Sequence, residues 1–529
     1  MVGNPANCYN PGLKFRCFFL GCFSAAVLLA ESTPPKSAQP FLPAKTRALL
    51  GRITPGDLKG DLSFLASDAL AGRFTPSPGL DAAAEFIASR FRAAGLEPGG
   101  DDGYFQRAHM LDRKMPRMTS GLEVKIGSAS ISVPADSIVV SSASNSAKFA
   151  NAPTVIFNSY DPETLRKADV KGKVVLRPAL DLSSISQEQR KEQYRNSHAF
   201  SDQAQQAGAV LELQVSDKAS RRSQASLLVP EDAKSGTPVL RVNSAELLTA
   251  MSRTREAKVS VNIPAAENTK VIGRNVVGIL RGSDPKLKDT YVLLTAHYDH
   301  IGTVDTATGL TMPVKNPGPD KIYNGANDDG SGTVSVIAIA QAFAKLTPRP
   351  KRSLVFMTFF GEERGEIGSE YFADHPLWPI ANIVADLNLE QVGRTDASDG
   401  KQVNTASLTG YDYSDVTRYV EKAGALTGVK VYKNPEASDV YFTQSDNSPL
   451  ADKGIPAHSL GVAFEFPDYH GLGDEWQKID YDNMSRVDRM VALALLNMAN
   501  DPKAPSWNGQ NPNTAPFRDA QKKRKPEVK

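Results

Sequence analysis

Five runs in the second half of the chain are mainly apolar rather than alternating: 275–280, 291–296, 354–360, 383–389 and 455–462. A short run of that kind marks a strand buried on both faces. Stretches with helical spacing, 332–346 and 484–498, lie among and after them. Buried strands alternating with helices predict an α/β fold, a mostly parallel mixed sheet flanked by helices. In such sheets ligands bind beyond the carboxyl ends of the strands.

The first half reads differently. Residues 47–113 predict helices. The clearest, 80–95, carries Ala84, Ile87, Phe91 and Ala94 on one face and stops at Gly95 with Pro98 beyond. Between 121 and 264, short β-rich runs (154–157, 173–176, 210–215) alternate with polar loops. This predicts an inserted β-rich domain, which divides the main domain into 44–120 and 265–501. The tail, 502–529, is rich in Pro and Asn, has no apolar period and contains a basic run at 521–525. It predicts disorder.

Composition narrows the classes. The chain is 41% hydrophobic and 23% charged with a formal net charge of +2, so there is no field of one sign to attract nucleic acid. Lys14 and Arg16 precede an uncharged stretch, 17–30, followed by Pro34, Pro35, Pro40 and Pro43. That stretch is too short to span a bilayer and has the flanks of a secretory signal. The expectation is a signal peptide over 1–30, cut near Ala30, and an exported mature chain, periplasmic or secreted, without a stable membrane span. Cys8, Cys17 and Cys22 are the only cysteines, so the mature chain would have no thiol nucleophile, thiolate ligand or disulfide.

Candidate chemistry gathers at the strand ends. His297 follows the run 291–296, and Asp299 two residues on would point the same way if the strand continued, in reach of the imidazole's free N–H. Asp328 lies between glycines just before a helix, as an N-cap or as a carboxylate able to bridge two cations. Glu362 and Glu363 end the run 354–360. Adjacent carboxylates there repel unless a cation or proton intervenes. Pointing apart, one can bind metal while the other acts as base. Glu390 closes the run 383–389, and His470 sits in a loop beside Tyr469, whose hydroxyl can donate to an oxyanion. Singly these residues read as a surface turn, a cap or a solvent-facing strand end. Together, two His and three carboxylates suit two zinc ions, with a glutamate to spare as base. The helical zinc motif His-Glu-x-x-His and the serine-hydrolase motif Gly-x-Ser-x-Gly are absent.

The run His297-Tyr-Asp-His-Ile-Gly, the run Asn324-Gly-Ala-Asn-Asp-Asp-Gly-Ser-Gly-Thr and the segments 361–372, 388–394, 468–470 and 478–481 resemble the co-catalytic zinc aminopeptidases. These are metallopeptidases of the bacterial leucyl aminopeptidase and glutamate carboxypeptidase II type. Segments 64–73 and 79–91 share the resemblance, and 169–176 with 204–215 resemble a protease-associated domain. The resemblance implies that His297 and Glu390 hold one zinc and Glu363 and His470 the other. Asp328 would bridge them, through a cis peptide to Asp329, with Asp299 as partner of His297. Glu362 would be the general base, taking a proton from a water between the ions and returning it to the leaving amine. It implies an aminopeptidase acting on peptides or proteins with a free N-terminus. Alternatives are a dipeptidase or carboxypeptidase on the same site, cyclisation of N-terminal glutamine, or a binding protein that lost catalysis. Three positions depart from the family: Glu390 where many members have Asp, Asn447 where others often have His, and Gly471-Leu-Gly-Asp in place of a Pro-containing stretch. The change at Asn447 implies altered substrate-side contacts.

Overall fold

The computed structural model describes residues 42–181, 187–218, 226–254, 256–307, 318–398 and 400–524. The leader, with its three cysteines, lies outside them. No helix among the described residues is long and apolar enough to cross a membrane.

The main sheet has ten strands. From one edge they run Lys430–Tyr432, Thr405–Leu408, Ala457–Gly461, Ile383–Glu390, Tyr291–His297, Ser353–Phe359, Glu267–Leu280, Phe105–Lys114 and Ser226–Pro230, with Glu97–Pro98 paired to Glu267–Leu280. The strands from Ala457–Gly461 to Ser353–Phe359 are parallel, and the flanks are largely antiparallel. Side chains alternate between two cores. Val292, Leu294, Phe356 and Leu387 face the helices Pro78–Ala94, Gly332–Ala344 and Tyr481–Asn500. Leu293, Val355, Phe359 and Ile383 face a second core with Phe372, Leu450, Trp507 and Phe517. Burial on both faces is why these strands read as mainly apolar, non-alternating runs.

Helix Pro78–Ala94 forms where the pattern places it. Ser77 caps its start by accepting from the Leu80 N–H, Pro78 opens it, and Gly95 closes it at φ 81°. The helical reading of 47–113 fails beyond it: Phe105–Lys114 is a strand, paired along its whole length with Glu267–Leu280.

Most of 121–264 folds into a second sheet of eight strands with its own apolar core, including Val124, Val174, Leu213, Leu240 and Val259. One piece does not stay there. Ser226–Pro230 crosses to the main sheet and pairs with Phe105–Lys114.

The tail also departs from expectation. Through residue 524 it is ordered, with helix Ala515–Lys523. Trp507 and Phe517 stack at 5.0 Å within the second core, and the Trp507 indole N–H donates to Gly454 O at 3.1 Å. Two aromatics too far apart for a helical period still provide enough apolar area to anchor the segment.

Candidate metal centre and active site

The expected site residues converge at the carboxyl ends of the parallel strands. His297 is the last residue of Tyr291–His297, and Glu390 the last of Ile383–Glu390. Strand Ser353–Phe359 runs into the turn Glu362–Arg364. Asp328 lies in the irregular segment Ala326–Ser331, and the Asp328–Asp329 peptide is cis. The cap role falls to its neighbour: Asp329 Oδ1 accepts from the Gly332 N–H at 3.0 Å, which leaves Asp328 to the site. His470 arrives on the loop after Ala457–Gly461.

Two groups share Asp328. His297 Nε2 is 3.4 Å from Asp328 Oδ1 and 3.7 Å from Glu390 Oε1. His470 Nε2 is 3.2 Å from Asp328 Oδ2 and 3.1 Å from Glu363 Oε2. Glu362 stands to one side, its Oε2 3.8 Å from His297 Nε2. Two donors of a tetrahedral zinc at ordinary bond lengths sit about 3.3 Å apart, close to most of these spacings. Buried atoms without a hydrogen-bond partner include Asp328 Oδ2 and Glu363 Oε1. Unpaired carboxylate oxygens in a buried site are costly unless a cation meets them. The donor set therefore fits two divalent ions such as zinc.

The two adjacent glutamates are driven apart. Burial raises Glu362 well above the ordinary glutamate range, and Glu390 and Glu363 add to that against His297. Burial also acts to raise Glu363, but His470 and His300 outweigh it and bring it to about 2. Burial holds Glu390 up at about 7, partly offset by His297. A glutamate of raised proton affinity beside one held as an anion is the division expected of an acid–base group and an anionic ligand.

The model of peptidase family M28 matches residues 275–495. Residues 275–495 belong to peptidase family M28. A "Probable zinc metalloprotease" of Pyrenophora teres f. teres (strain 0-1) is 27% identical over 263 residues, 45% of this chain and 50% of that protein. A "Vacuolar membrane protease" of Tuber melanosporum (strain Mel28) is 28% identical over 209 residues, 38% of this chain and 18% of that protein. The chain thus spans about half the length, or less, of such curated relatives. Among solved structures, "Aminopeptidase from Aneurinibacillus sp. strain AM-1" superposes with a TM-score of 0.52 at 18% identity, covering 87% of this chain and 97% of that one. That likeness is one of fold.

Within the M28 segment, a hydrogen-bonded frame holds the donors. The strand ends at His297, so Asp299 reaches it by a turn rather than by strand alternation. His297 Nδ1 donates to the Asp299 carbonyl O at 3.3 Å, with the Asp299 Oδ1 at 3.4 Å; that Oδ1 accepts from the Glu362 N–H at 3.1 Å, while Oδ2 accepts from the Thr75 hydroxyl. Asp299 thus meets both His297 and Glu362. Asp474 accepts from the Asn327 and Asp328 N–H groups, and the Ser445 hydroxyl donates to Glu390 at 2.5 Å. The buried Arg73 guanidinium donates to the carbonyls of Leu65, Tyr298, Asn324 and Gly325.

Sequence reasoning assigned no role to Arg73, Asp474, Ser445 or His300. For His300 a signal was available, one histidine in the motif 297–302 left without a function. The others act through contacts far away in sequence, which no local pattern reveals. Asn447 is fully buried, accepting from Ser459 and donating to Phe442 O.

A cavity of about 420 Å³ opens beside Glu390, lined among others by Gln444, Tyr441, Phe464, Phe466 and Tyr469. The Tyr469 ring stacks on His470 at 4.2 Å.

Proposed function

We propose that this protein is an exported two-zinc aminopeptidase that removes residues from peptides with a free N-terminus. The observation that carries the reading is Asp328, which meets His297 with one oxygen and His470 with the other, His297 lying beside Glu390 and His470 beside Glu363. His297, Glu390 and one oxygen of Asp328 would hold the first ion; His470, Glu363 and the other oxygen would hold the second. Zinc, when bound, polarises the scissile carbonyl and acidifies water.

The chain's own groups do the rest. Glu362 takes a proton from the attacking water as the new C–O bond forms. When the C–N bond breaks, it passes that proton to the leaving amine. Its raised proton affinity suits both halves of the transfer. Asp299 fixes Glu362 through its backbone N–H and orients the His297 ring. Tyr469, at the cavity wall, donates its hydroxyl to the carbonyl oxygen as negative charge develops. The cavity beside Glu390 receives the N-terminal side chain. The near-neutral net charge favours no nucleic-acid partner, and the leader 1–30 supports export.

The test pairs zinc content with hydrolysis of aminoacyl anilides and of peptides with free or blocked N-termini. About two zinc ions per chain and cleavage only of free N-termini are expected. Cleavage of blocked peptides from the carboxyl end would move the reading to a carboxypeptidase. Zinc binding without any hydrolysis would leave a binding protein.

A further inference from the structure

The mechanism above leaves His300 without work. It is fully buried, and neither of its ring nitrogens has a hydrogen-bond partner. Buried polar groups are seldom left so. The residue is held in place: its backbone N–H donates to Arg73 O at 3.2 Å, and the imidazole packs so closely on Gly325 that a Cβ there would run into it. Its Nδ1 lies 2.7 Å from Glu363 Oε1, an oxygen that is itself buried and unpartnered.

That distance separates two roles. Donors sharing a tetrahedral zinc lie about 3.3 Å apart, and His470 Nε2 stands 3.2 Å from Asp328 Oδ2 and 3.1 Å from Glu363 Oε2. His300, Asp328 and Glu363 lie near enough together to share an ion, but at 2.7 Å His300 Nδ1 and Glu363 Oε1 are closer than two such donors and match an N–H···O⁻ contact. What separates the pair from a hydrogen bond is orientation, not distance. His300 also meets the carboxylate on the oxygen that His470 does not.

We propose that His300 is a positioning residue. It donates from Nδ1 to Glu363 Oε1, so that Oε2 alone is presented to the second ion together with Asp328 and His470. The proposal rests on the two-zinc reading of the site. It gives the segment 297–300 three tasks: His297 is a ligand, Asp299 orients His297 and Glu362, and His300 orients Glu363. A carboxylate tied at one oxygen cannot swing away or chelate with both, so the second ion meets a prepared ligand.

The experiment titrates zinc into metal-free wild-type, His300→Ala and His300→Asn full-length protein against a chromophoric chelator, with the melting temperature of each metal-free form measured alongside. Loss of an outer hydrogen-bond partner typically weakens metal affinity by about 10–100-fold. His300→Ala should weaken one of the two zinc equilibria by that factor and leave the other within about threefold. His300→Asn, whose amide N–H can stand near the place of Nδ1–H, should restore most of the loss. An amide is a poor zinc ligand, so Asn rescue also excludes direct coordination by His300. Equal affinity in wild type and His300→Ala overturns the proposal, as does a His300→Asn variant as weak as His300→Ala. Should His300→Ala fail to fold, the requirement that His300→Asn keep near-wild-type affinity still stands. Wild-type protein that binds fewer than two zinc ions would overturn the two-zinc reading itself, and the proposal with it.

Discussion

Glu362 and Glu363 are neighbours at the end of one strand, and the same substitution at each should give opposite results. Glu362→Gln preserves size and the backbone contact to Asp299 but removes the proton acceptor. In the proposed assignment Glu362 holds neither ion, whereas Glu363 Oε2 lies 3.1 Å from His470 Nε2 in the second donor group. On that assignment the first variant should keep its zinc. It also relieves crowding, since Glu390 and Glu363 both act against the ionised form of Glu362. General-base catalysis contributes about 10²–10⁴-fold, or about 3–5 kcal/mol of barrier at roughly 1.4 kcal/mol per tenfold. kcat/KM on an aminoacyl anilide should fall by that factor in Glu362→Gln, with zinc unchanged after dialysis against metal-free buffer. Glu363→Gln puts a neutral amide where an anionic ligand stood and should lose zinc and activity together. If Glu362→Gln keeps wild-type kcat/KM, or loses zinc while Glu363→Gln retains it, the roles given to the two glutamates are wrong.

Three further outcomes are expected. Arg73→Met strips four buried carbonyls of their donor and should cost at least about 3 kcal/mol of stability, read from urea unfolding of the metal-free protein. Trp507→Ala should cost about 3–5 kcal/mol, the usual range for removing a buried aromatic, if the segment after 501 is anchored as described; an unchanged unfolding midpoint would show that it is not. Asp488 is buried opposite Ser335 and is held up at about 8 by burial. Because its folded pKa lies above its unfolded one, it favours folding least once pH rises through that interval: below the ordinary Asp pKa of about 4 both states are protonated, and between there and about 8 only the unfolded state ionises. Asp488→Asn should therefore gain melting temperature over wild type progressively from pH 5 to pH 8, and a constant difference would contradict the assignment.

The parallel centre of the sheet was legible because its strands are buried on both faces and so are mainly apolar, with few polar positions such as Asp386, Asn388 and His458. The candidate ligands were legible because each closes such a run or sits beside a glycine-rich turn. Phe105–Lys114 was not: Gln106 and Asp112 flank Ala108 and Met110 on its inner face, and its partner strand lies more than 150 residues away in sequence. The tail misled because Trp507 and Phe517 act as two isolated anchors, where sequence reading looks for a periodic face. Arg73 reads as one more surface cation, yet its donors meet carbonyls from three segments, two of them distant in sequence. Only the fold brings those segments together.

The crossing strand Ser226–Pro230 changes what can be exchanged between relatives. Arg364, next to Glu363, donates to Ser226 O at 2.6 Å and to Thr75 O at 2.8 Å, and the Ser226 hydroxyl donates to Asp112. The turn bearing both glutamates is thus latched to a strand that arrives from within the insertion. Cutting the gene at 121 and 264 would not lift out a self-contained cassette; it would unzip the edge of the parent sheet and unfasten the glutamate turn. A graft of this region from another protein has to bring its own latch or leave 226–230 in place.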